Sequence, residues 1–345
     1  MLKALRQELL LRKSYLNNQS IDTIYFGGGT PSLLSANELQ ILLGEIVDQF
    51  DVTSNAEITI EANPDDLNPQ RVKELRQTLI NRFSIGIQSF FEEDLRWMNR
   101  AHTATEAQSS IKRVQDAGFE NITADLIYGY PLLTNPKWEH NIQELIQLNI
   151  PHISSYSMTV EPATALSSFI KKGEQKAMDE GQSAAQFLIL MEQLKEAGFD
   201  HYEISNFAKP GSHSKHNSNY WEGISYLGIG PSAHSFNGKS RQWNISNNTK
   251  YIDQIEKGKI PAEIEELTLE NRINEYIMTS LRTSKGMDLN KIKDQFGSDY
   301  ANEIKNNLDV FSEKNWILIK DQRIILTTDG KLFADHIASE LFINA

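Results

Sequence analysis

The stretch YFGGGTPS, residues 25–32, lies between a short apolar segment and a predicted helix. Three consecutive glycines at such a junction indicate a ligand-binding turn, because a backbone without side chains allows close approach. Nucleotide phosphate does not fit, since the Walker lysine is missing and Ser32 replaces the last glycine of GxGxxG. Pro31 also removes a backbone N–H that would bind phosphate. The stretch therefore predicts another kind of ligand.

Short β-type runs alternate with helical segments on both sides of this turn. Capping signals start two of the helices, Ser35 with Glu38 and Thr103 with Glu106, and a helix is also predicted over residues 1–16. Such alternation is typical of an α/β protein with a parallel sheet or barrel and helices outside. The predicted strands are residues 23–26, 57–61, 83–88, 122–127, 152–157 and 201–203.

The pattern changes in the last third of the chain. Residues 204–243 are rich in Gly, Ser, Asn and aromatic residues and are predicted as a loop, and a second unit starts near residue 260. That unit shows three helices, a β-hairpin and a final helix after Asp329, the order of a winged helix. Its predicted helices and strands are residues 270–283, 289–296, 300–314, 316–319 and 323–327.

These patterns predict three parts. The partial β/α barrel covers residues 1–203, a loop-rich segment at 204–259 completes it, and a winged-helix-like domain occupies 260–345.

Polar residues occur at the carboxyl end of each predicted strand, where a parallel barrel gathers its functional groups. Glu61 and Asp125 stand out, because an inward-facing strand residue is ordinarily apolar. Either one alone could cap a loop or pair with a buried arginine or lysine. Polar residues at the same end of every strand indicate a shared pocket. The others are Thr30, Asn63, Gln88, Ser89, Tyr128, Ser155, Tyr156, Glu203 and Asn206.

The residue types of this pocket predict the chemistry of its ligand. Backbone groups of the glycine turn suit a small ammonium or carboxylate group, whereas carboxylates and an amide suit hydroxyl and amino groups. Arg100 could bind a carboxylate bidentately, although a surface arginine at a helix end is an equal alternative. A ligand with an amino-acid end and a ribose would satisfy all of these groups.

Composition limits the classes of function. Hydrophobic residues make up 39% and charged residues 23%, as in globular proteins with a sizeable core. The net charge of −12 disfavours a nucleic-acid partner. No apolar run approaches the roughly 20 residues of a membrane span, so we expect a cytoplasmic protein. The chain has no cysteine and therefore no disulfide or thiolate metal ligand.

Several motifs resemble a known family. GGGTPS, IEANPDDL, IGIQSF, NRAH and DLIYGYP match, in order and spacing, the radical S-adenosylmethionine (SAM) proteins related to oxygen-independent coproporphyrinogen III oxidase. YEISNFAKPG, HNSNYW and LGIGPSAHSF are most similar to the haem-chaperone branch of that family. The resemblance covers nearly the whole chain. It implies an incomplete β/α barrel that holds SAM against a [4Fe–4S] cluster.

The resemblance also assigns the SAM site. It implies that Gly28, Gly29 and Thr30 hold the methionyl end of SAM. The rest of the SAM site would be lined by Glu61, Gln88, Arg100 and Asp125. This cofactor matches the ligand that the pocket chemistry predicts.

One departure from the family concerns the cluster. Its members carry a CxxxCxxC motif after their first barrel strand, and this chain has neither that strand nor any cysteine. We expect an N-terminally truncated version of an ordinary member, because every other motif is intact. The alternative is a degenerate form that retains only binding.

The segment HNSNYW marks a second site. The resemblance implies haem binding there, with His216 as a candidate axial ligand and Tyr220 and Trp221 packed against the macrocycle. Without the resemblance, a loop histidine bonded to backbone would be the better interpretation. His213 lies close by, whereas His102 and His234 are expected to be structural.

Two functions follow from the resemblance. The first is a haem chaperone that passes haem to an acceptor protein, with membrane contact only through that acceptor. The alternative is oxygen-independent decarboxylation of coproporphyrinogen III, which HNSNYW disfavours. DNA binding through the winged helix is a weaker third interpretation, because the chain is acidic.

The absence of cysteine gives a direct prediction. We expect anaerobic reconstitution with iron and sulfide to leave these 345 residues without a brown chromophore, because no thiolate can hold the cluster. Incubation with SAM and a reductant should then yield no 5′-deoxyadenosine. A soluble product that carries a cluster would contradict this expectation.

Overall fold

The computed structural model describes residues 1–162 and 164–344. The chain forms two compact units. The first consists of Met1–Ile24, Leu34–Glu57 and Lys215–Ala345, and the second of Tyr25–Leu33 and Ile58–Ser214. The three-part division at residues 203 and 259 stays a prediction.

The strands fall near the predicted positions in the first half of the chain. Their bounds are β1 Ile21–Phe26, β2 Val52–Ala62, β3 Arg82–Gln88, β4 Asn121–Tyr128, β5 His152–Ser157, β6 Asp200–Glu203, β7 Asn206–Ala208, β8 His234–Phe236, β9 Ser240–Asn244, β10 Ala262–Glu266, β11 Met287–Asp288, β12 Ile317–Lys320 and β13 Arg323–Leu326.

Helices separate most of these strands. Their bounds are α1 Leu2–Leu11, α2 Ala36–Gln49, α3 Pro69–Leu75, α4 Glu92–Trp97, α5 Ala104–Asp116, α6 Asn135–Gln147, α7 Ala165–Lys171, α8 Glu180–Glu196, α9 Lys215–Glu222, α10 Asn248–Glu256, α11 Leu269–Leu281, α12 Leu289–Phe296, α13 Ser298–Asn306, α14 Asp309–Glu313, α15 Thr328–Lys331 and α16 Ala334–Glu340. Within the described ranges, none of them is both long and apolar enough to cross a membrane.

The largest sheet confirms the α/β prediction. Among the described residues, seven strands pair in the order β1-β2-β3-β4-β5-β7-β6, and β2 to β5 run parallel to one another. The order has two ends, so the sheet is open, as an incomplete barrel requires. β7 runs antiparallel to both β5 and β6. A short hairpin joins β6 and β7, and such a connection cannot make a parallel crossover.

Local signals predicted the helix starts better than the helix ends. Ser35 and Glu38 form the predicted reciprocal capping box on α2, and Thr103 accepts the N–H of Glu106 at the start of α5. α1 ends at Leu11, earlier than predicted, and the chain reaches positive φ soon afterwards at Asn17 and Asn18. Left-handed backbone at these asparagines is incompatible with a continuing helix.

The prediction of a loop over residues 204–243 was wrong. This segment contains β7, α9, β8 and β9, and the last two form a three-stranded antiparallel sheet with β10. HNSNYW lies on α9, so His216 is a helical residue and not a loop residue. The strands β7, β8 and β9 have only three to five residues each, so the sequence shows little periodicity there.

The C-terminal region has the predicted winged-helix-like elements with two differences. The single helix predicted over residues 300–314 is two helices, α13 and α14. The short strand β11 pairs with β13, so the predicted hairpin is a three-stranded sheet in the order β11-β13-β12. A two-residue strand carries no detectable periodicity, which explains why the sequence did not indicate it.

A buried carboxylate fixes α1 within the first unit. Glu8 is fully buried and accepts hydrogen bonds from the Gly230 N–H at 2.8 Å and from Asn244 Nδ2 at 2.7 Å. The Tyr251 hydroxyl and the Arg12 guanidinium also contact this carboxylate. Because a buried carboxylate is costly without such partners, these contacts hold α1 against the segment that carries β8 and β9.

Candidate functional site

The glycine turn is built around the carboxylate of Glu61. The Tyr25 hydroxyl donates to Glu61 Oε1 at 2.8 Å, and the Gly28 N–H donates to Glu61 Oε2 at 3.2 Å. Burial, followed by the negative charge of Glu61, raises the pKa of Tyr25 well above its ordinary value. Tyr25 is therefore a neutral hydrogen-bond donor, and Glu61 ties the turn to the end of β2.

The three glycines of the turn have different roles. A Cβ atom added to Gly27 would lie 2.7 Å from Tyr25 Cε1 and 2.8 Å from Glu61 Oε1, so only glycine fits there. Gly28 has a φ of 75°, which favours glycine. No described atom lies within 4 Å of a Cβ added to Gly28 or Gly29. The turn thus presents open backbone that a ligand can approach.

A second group of polar side chains gathers at the end of β3. Arg100 Nη2 donates to Asn63 Oδ1 at 2.7 Å and to the carbonyl of Gly86 at 3.4 Å. A Cβ added to Gly86 would lie 2.9 Å from Gln88 Nε2 and 3.1 Å from Arg100 Nη2. The structure therefore brings Gln88, Arg100 and Asn63 together, and Gly86 leaves the space that they occupy. A role for Arg100 in ligand binding stays a prediction.

Asp125 lies on β4 with partners on β3. Its carboxylate accepts a hydrogen bond from Ser84 Oγ at 3.2 Å. Burial raises the pKa of Asp125 to about 7, and the nearby charge of Glu61 adds to this effect, whereas Ser84 and Arg82 oppose it. The carboxylates of Glu61 and Asp125 therefore lie near each other at this end of the sheet.

A chain of buried polar side chains extends this interior and was not predicted. Arg82 Nη2 donates to Thr123 Oγ1 at 2.5 Å, and His152 Nδ1 lies 3.0 Å from the same oxygen. The Tyr202 hydroxyl lies 2.7 Å from His152 Nε2. Burial lowers the pKa of His152 far below its usual range, so this imidazole is neutral. The signal in the sequence was the period-two spacing of Arg82, Ser84 and Gln88, which alternate with the apolar residues of the strand.

The HNSNYW segment forms a separate group in the first unit. His216 Nδ1 lies 3.1 Å from Thr23 Oγ1 of β1. The ring of Tyr220 meets the His216 ring edge-on, at 5.1 Å between centroids and an interplanar angle of 78°. Tyr220 is 43% exposed, and no residue of α9 is fully buried. His216 and Tyr220, one helical turn apart, therefore form one face of α9.

Contacts with other elements fix the two ends of α9. Glu57 of β2 accepts the backbone N–H groups of Lys215 and His216, each at 3.0 Å. This carboxylate satisfies two of the backbone N–H groups at the N-terminus of the helix. Trp221 lies beneath the guanidinium of Arg282 from the end of α11, at 5.3 Å from the ring centroid. Trp221 thus has a partner outside α9.

The other histidines singled out in the sequence have different environments. His213 pairs with Asp200 at 3.3 Å and stacks on Tyr202 at 4.4 Å between ring centroids. His102 is buried and its Nε2 lies 3.1 Å from the carbonyl of Ile87. Burial lowers the pKa of His102, in keeping with a structural role. His234 begins β8 and is exposed.

The residues present do not fit an iron–sulfur cluster. The sequence contains no cysteine, and the described residues include no group of three or more histidine, aspartate or glutamate side chains placed to hold a metal ion. A [4Fe–4S] cluster needs thiolate ligands. No chemical step is therefore assigned to a cluster held by this chain.

Comparison with known proteins identifies the family. Residues 4–145 match the Radical SAM superfamily and residues 267–333 match the HemN C-terminal domain. The chain is 34% identical over 338 residues to the "Heme chaperone HemW" of Bacillus subtilis (strain 168), covering 97% of this chain and 89% of that relative. The chain belongs to the HemW family. A second HemW, from Lactococcus lactis subsp. lactis (strain IL1403), is 32% identical over 326 residues, covering 94% of this chain and 86% of that relative.

A solved structure supports the fold of this HemW-family chain. The structure described as "Coproporphyrinogen III oxidase (HemN) from Escherichia coli is a Radical SAM enzyme" superposes with a TM-score of 0.81. The alignment covers 99% of this chain and 82% of that chain at 23% identity. At this identity the similarity establishes the radical SAM fold alone.

The raised pKa of Asp125 predicts how stability depends on pH. Between its unfolded pKa of 3.8 and its folded pKa of about 7, the folded protein keeps a proton that the unfolded chain has released. Stability is therefore lost as pH rises through this window. We expect the free energy of unfolding of Asp125→Asn to rise relative to that of the parent as pH increases. The difference between the two proteins should grow by roughly 2 kcal/mol from about pH 4 to about pH 8. This figure is about half the free energy that corresponds to the full pKa shift, because the Asp125 side chain keeps some contact with solvent.

Denaturant unfolding of both proteins at the two pH values measures this difference. The exposed Asp48→Asn on α2 is the control, and it should follow the parent. A difference between Asp125→Asn and the parent that does not change with pH would contradict the assignment.

Proposed function

We propose that this HemW-family chain binds haem at α9 and transfers it to an acceptor protein. The observation that carries the proposal is the face formed by His216 and Tyr220, with His216 held by Thr23 at 3.1 Å. A single imidazole suffices as an axial ligand for haem iron, and an exposed aromatic ring can pack against the macrocycle. The relatives named as heme chaperones support the same function.

The exposure of α9 suits transfer better than permanent binding. Tyr220 is 43% exposed and no residue of α9 is fully buried, so a macrocycle bound on this helix would keep part of its surface accessible. A haem held on an open face can be taken by an acceptor without unfolding the donor. In this proposal His216 is the axial ligand, and Tyr220 and Trp221 pack against the macrocycle. Trp221 is also in contact with Arg282.

We also propose that the second unit binds SAM. Gly28, Gly29 and Thr30 would receive the methionyl end, since the turn presents open backbone there. Four further side chains would line the remainder of the site, namely Glu61, Gln88, Arg100 and Asp125. Bound SAM supplies an activated sulfonium group. The chain's own residues bind and orient it, with Arg100 suited to its carboxylate and the carboxylates suited to its amino and hydroxyl groups.

In this proposal the acceptor of the haem is another protein. We place the transfer in the cytoplasm, with membrane contact only where the acceptor itself is membrane-bound. Oxygen-independent decarboxylation of coproporphyrinogen III remains the alternative activity for this fold. Saturable haem binding by the pure chain, compared with turnover of coproporphyrinogen III, separates the two functions.

The haem site gives a prediction on His216. We expect His216→Ala to weaken haem binding at least about tenfold, because the axial ligand is lost. Titration of the pure chain with haem, followed by Soret absorbance, measures this change. His140→Ala removes an exposed histidine of α6 and is the matched control for non-specific uptake. Equal binding by His216→Ala and the parent would reduce His216 to a bystander and direct attention to His213.

The SAM site gives a prediction on Gly86. An added methyl group in Gly86→Ala would displace Gln88 and Arg100, so we expect SAM affinity to fall about tenfold, as for the loss of one charge-assisted hydrogen bond. Equilibrium dialysis with labelled SAM measures the affinity. Gly44→Ala, on α2, is the control, because no described atom lies within 4 Å of its added Cβ. Similar SAM binding by both variants would refute the assigned contacts.

A further inference from the structure

Two cations contact the C-terminal end of α9. The guanidinium of Arg282, at the end of α11, lies over the Trp221 ring at 5.3 Å from its centroid. Lys285, in the turn after α11, forms an ion pair with Glu222, the last residue of α9. Positive charge therefore collects beside the end of HNSNYW, although the whole chain has a net charge of −12.

The chemistry of haem gives these cations a possible ligand. Haem carries two propionate groups at one edge of its macrocycle, in addition to the iron at its centre. In the proposed haem site the macrocycle packs against Tyr220 and Trp221, so its edge can reach the cation that contacts Trp221. Arginine is the residue best suited to a carboxylate, because its planar guanidinium can donate two parallel hydrogen bonds.

The guanidinium of Arg282 already binds one carboxylate. Within residues 1–162 and 164–344, its hydrogen-bond partner is Asp335, whose Oδ1 accepts from Nη1 at 2.5 Å. The side chain of Asp335 is 72% exposed. Because exposed ion pairs contribute little to stability, a ligand carboxylate can replace Asp335 at low cost. Asp335 therefore marks a position that a carboxylate can take on this guanidinium.

We propose that Arg282 binds a propionate of haem, with Lys285 as a second cation beside it. The inference rests on the proposed haem site at α9 and adds the residue that recognises the anionic edge of the ligand. Asp335 competes with the propionate for the guanidinium. The return of Asp335 to Arg282 then favours release of haem, which suits a protein that passes its ligand to an acceptor.

The test compares haem with haem dimethyl ester, in which both propionates are methylated and carry no charge. The ester retains the iron and the macrocycle, so it still reports axial coordination and aromatic packing. Titrations of the full chain with each ligand, followed by Soret absorbance, give two affinities and their ratio. A disturbance of the helix packing weakens the binding of both ligands, whereas loss of a propionate contact weakens the binding of haem alone.

Four variants are compared with the parent. Arg282→Gln removes the charge, Arg282→Lys keeps it without the planar fork, and Asp335→Asn removes the competing carboxylate. Arg272→Gln is the matched control, because Arg272 also belongs to α11 and its guanidinium lies over the Phe296 ring at 5.6 Å. Asp335→Asn leaves Arg282 in place, so it tests the contact even if Arg282→Gln fails to fold.

We expect the parent to bind haem about tenfold more tightly than the ester, because the ester forms no charge-assisted hydrogen bond. Arg282→Gln should lower the affinity for haem to nearly that for the ester, and Arg282→Lys should retain part of the preference. Asp335→Asn should raise the affinity for haem about twofold and leave that for the ester unchanged. Arg272→Gln should match the parent with both ligands.

The outcomes separate this inference from the proposal beneath it. If the parent binds both ligands equally, or if Arg282→Gln keeps the parent's ratio of affinities, the propionate contact is overturned and the haem site stands. Loss of the preference in Lys215→Gln and not in Arg282→Gln would overturn it too, in favour of the opposite end of α9. If the parent binds neither ligand saturably, or if His216→Ala binds both as well as the parent, the proposed haem site itself is overturned.

Discussion

The carboxylate of Glu61 sets the shape of the glycine turn on which the second unit's candidate site depends. A carboxylate placed at the end of a sheet must have hydrogen-bond partners, and here Tyr25 and the backbone of Gly28 supply them. Bringing the turn this close leaves no room for a Cβ at residue 27. The same contacts leave the backbone of Gly28 and Gly29 open. The pairing of Glu61 thus explains why residue 27 has no side chain.

The buried polar side chains of the sheet also need hydrogen-bond partners, and their burial lowers stability. Parallel β/α barrels usually fill their interior with branched apolar side chains. In this chain Arg82, Thr123 and His152 replace them and hydrogen-bond to one another, while Asp125 has a raised pKa. Groups that conflict with folding in this way are typical of sites retained for binding or chemistry. The stability of the interior depends on complete pairing of these groups.

The haem-chaperone assignment joins two kinds of support. Membership of the HemW family rests on identity over nearly the whole chain, whereas the fold rests also on the HemN structure. The geometry adds a histidine and a tyrosine on one exposed face of α9, with the start of that helix capped by Glu57. Because the chain has no cysteine, no step that requires an iron–sulfur cluster is assigned to its own residues. Binding without thiolate ligands is compatible with a carrier of haem.

The sequence alone determined the fold class and the family. Strand–helix alternation, the glycine turn and the capping box of Ser35 and Glu38 are local patterns, and local patterns are read directly from residue order. The same patterns missed β7, β8 and β11, because two- and three-residue strands have too little periodicity and depend on pairing with distant partners. They also missed the five-residue strands β9 and β10.

For the candidate sites, too, the sequence indicated some features and only the tertiary structure showed the others. The motifs named the residues, including Glu61, Asp125 and His216, since residue type and spacing indicate chemistry. Only the tertiary structure showed that HNSNYW is helical, that Trp221 faces Arg282, and that Thr23 lies beside His216. These facts come from contacts between residues far apart in the chain. The protonation of Asp125 and the environment of His216 are set by such neighbours, and no local segment of sequence contains them.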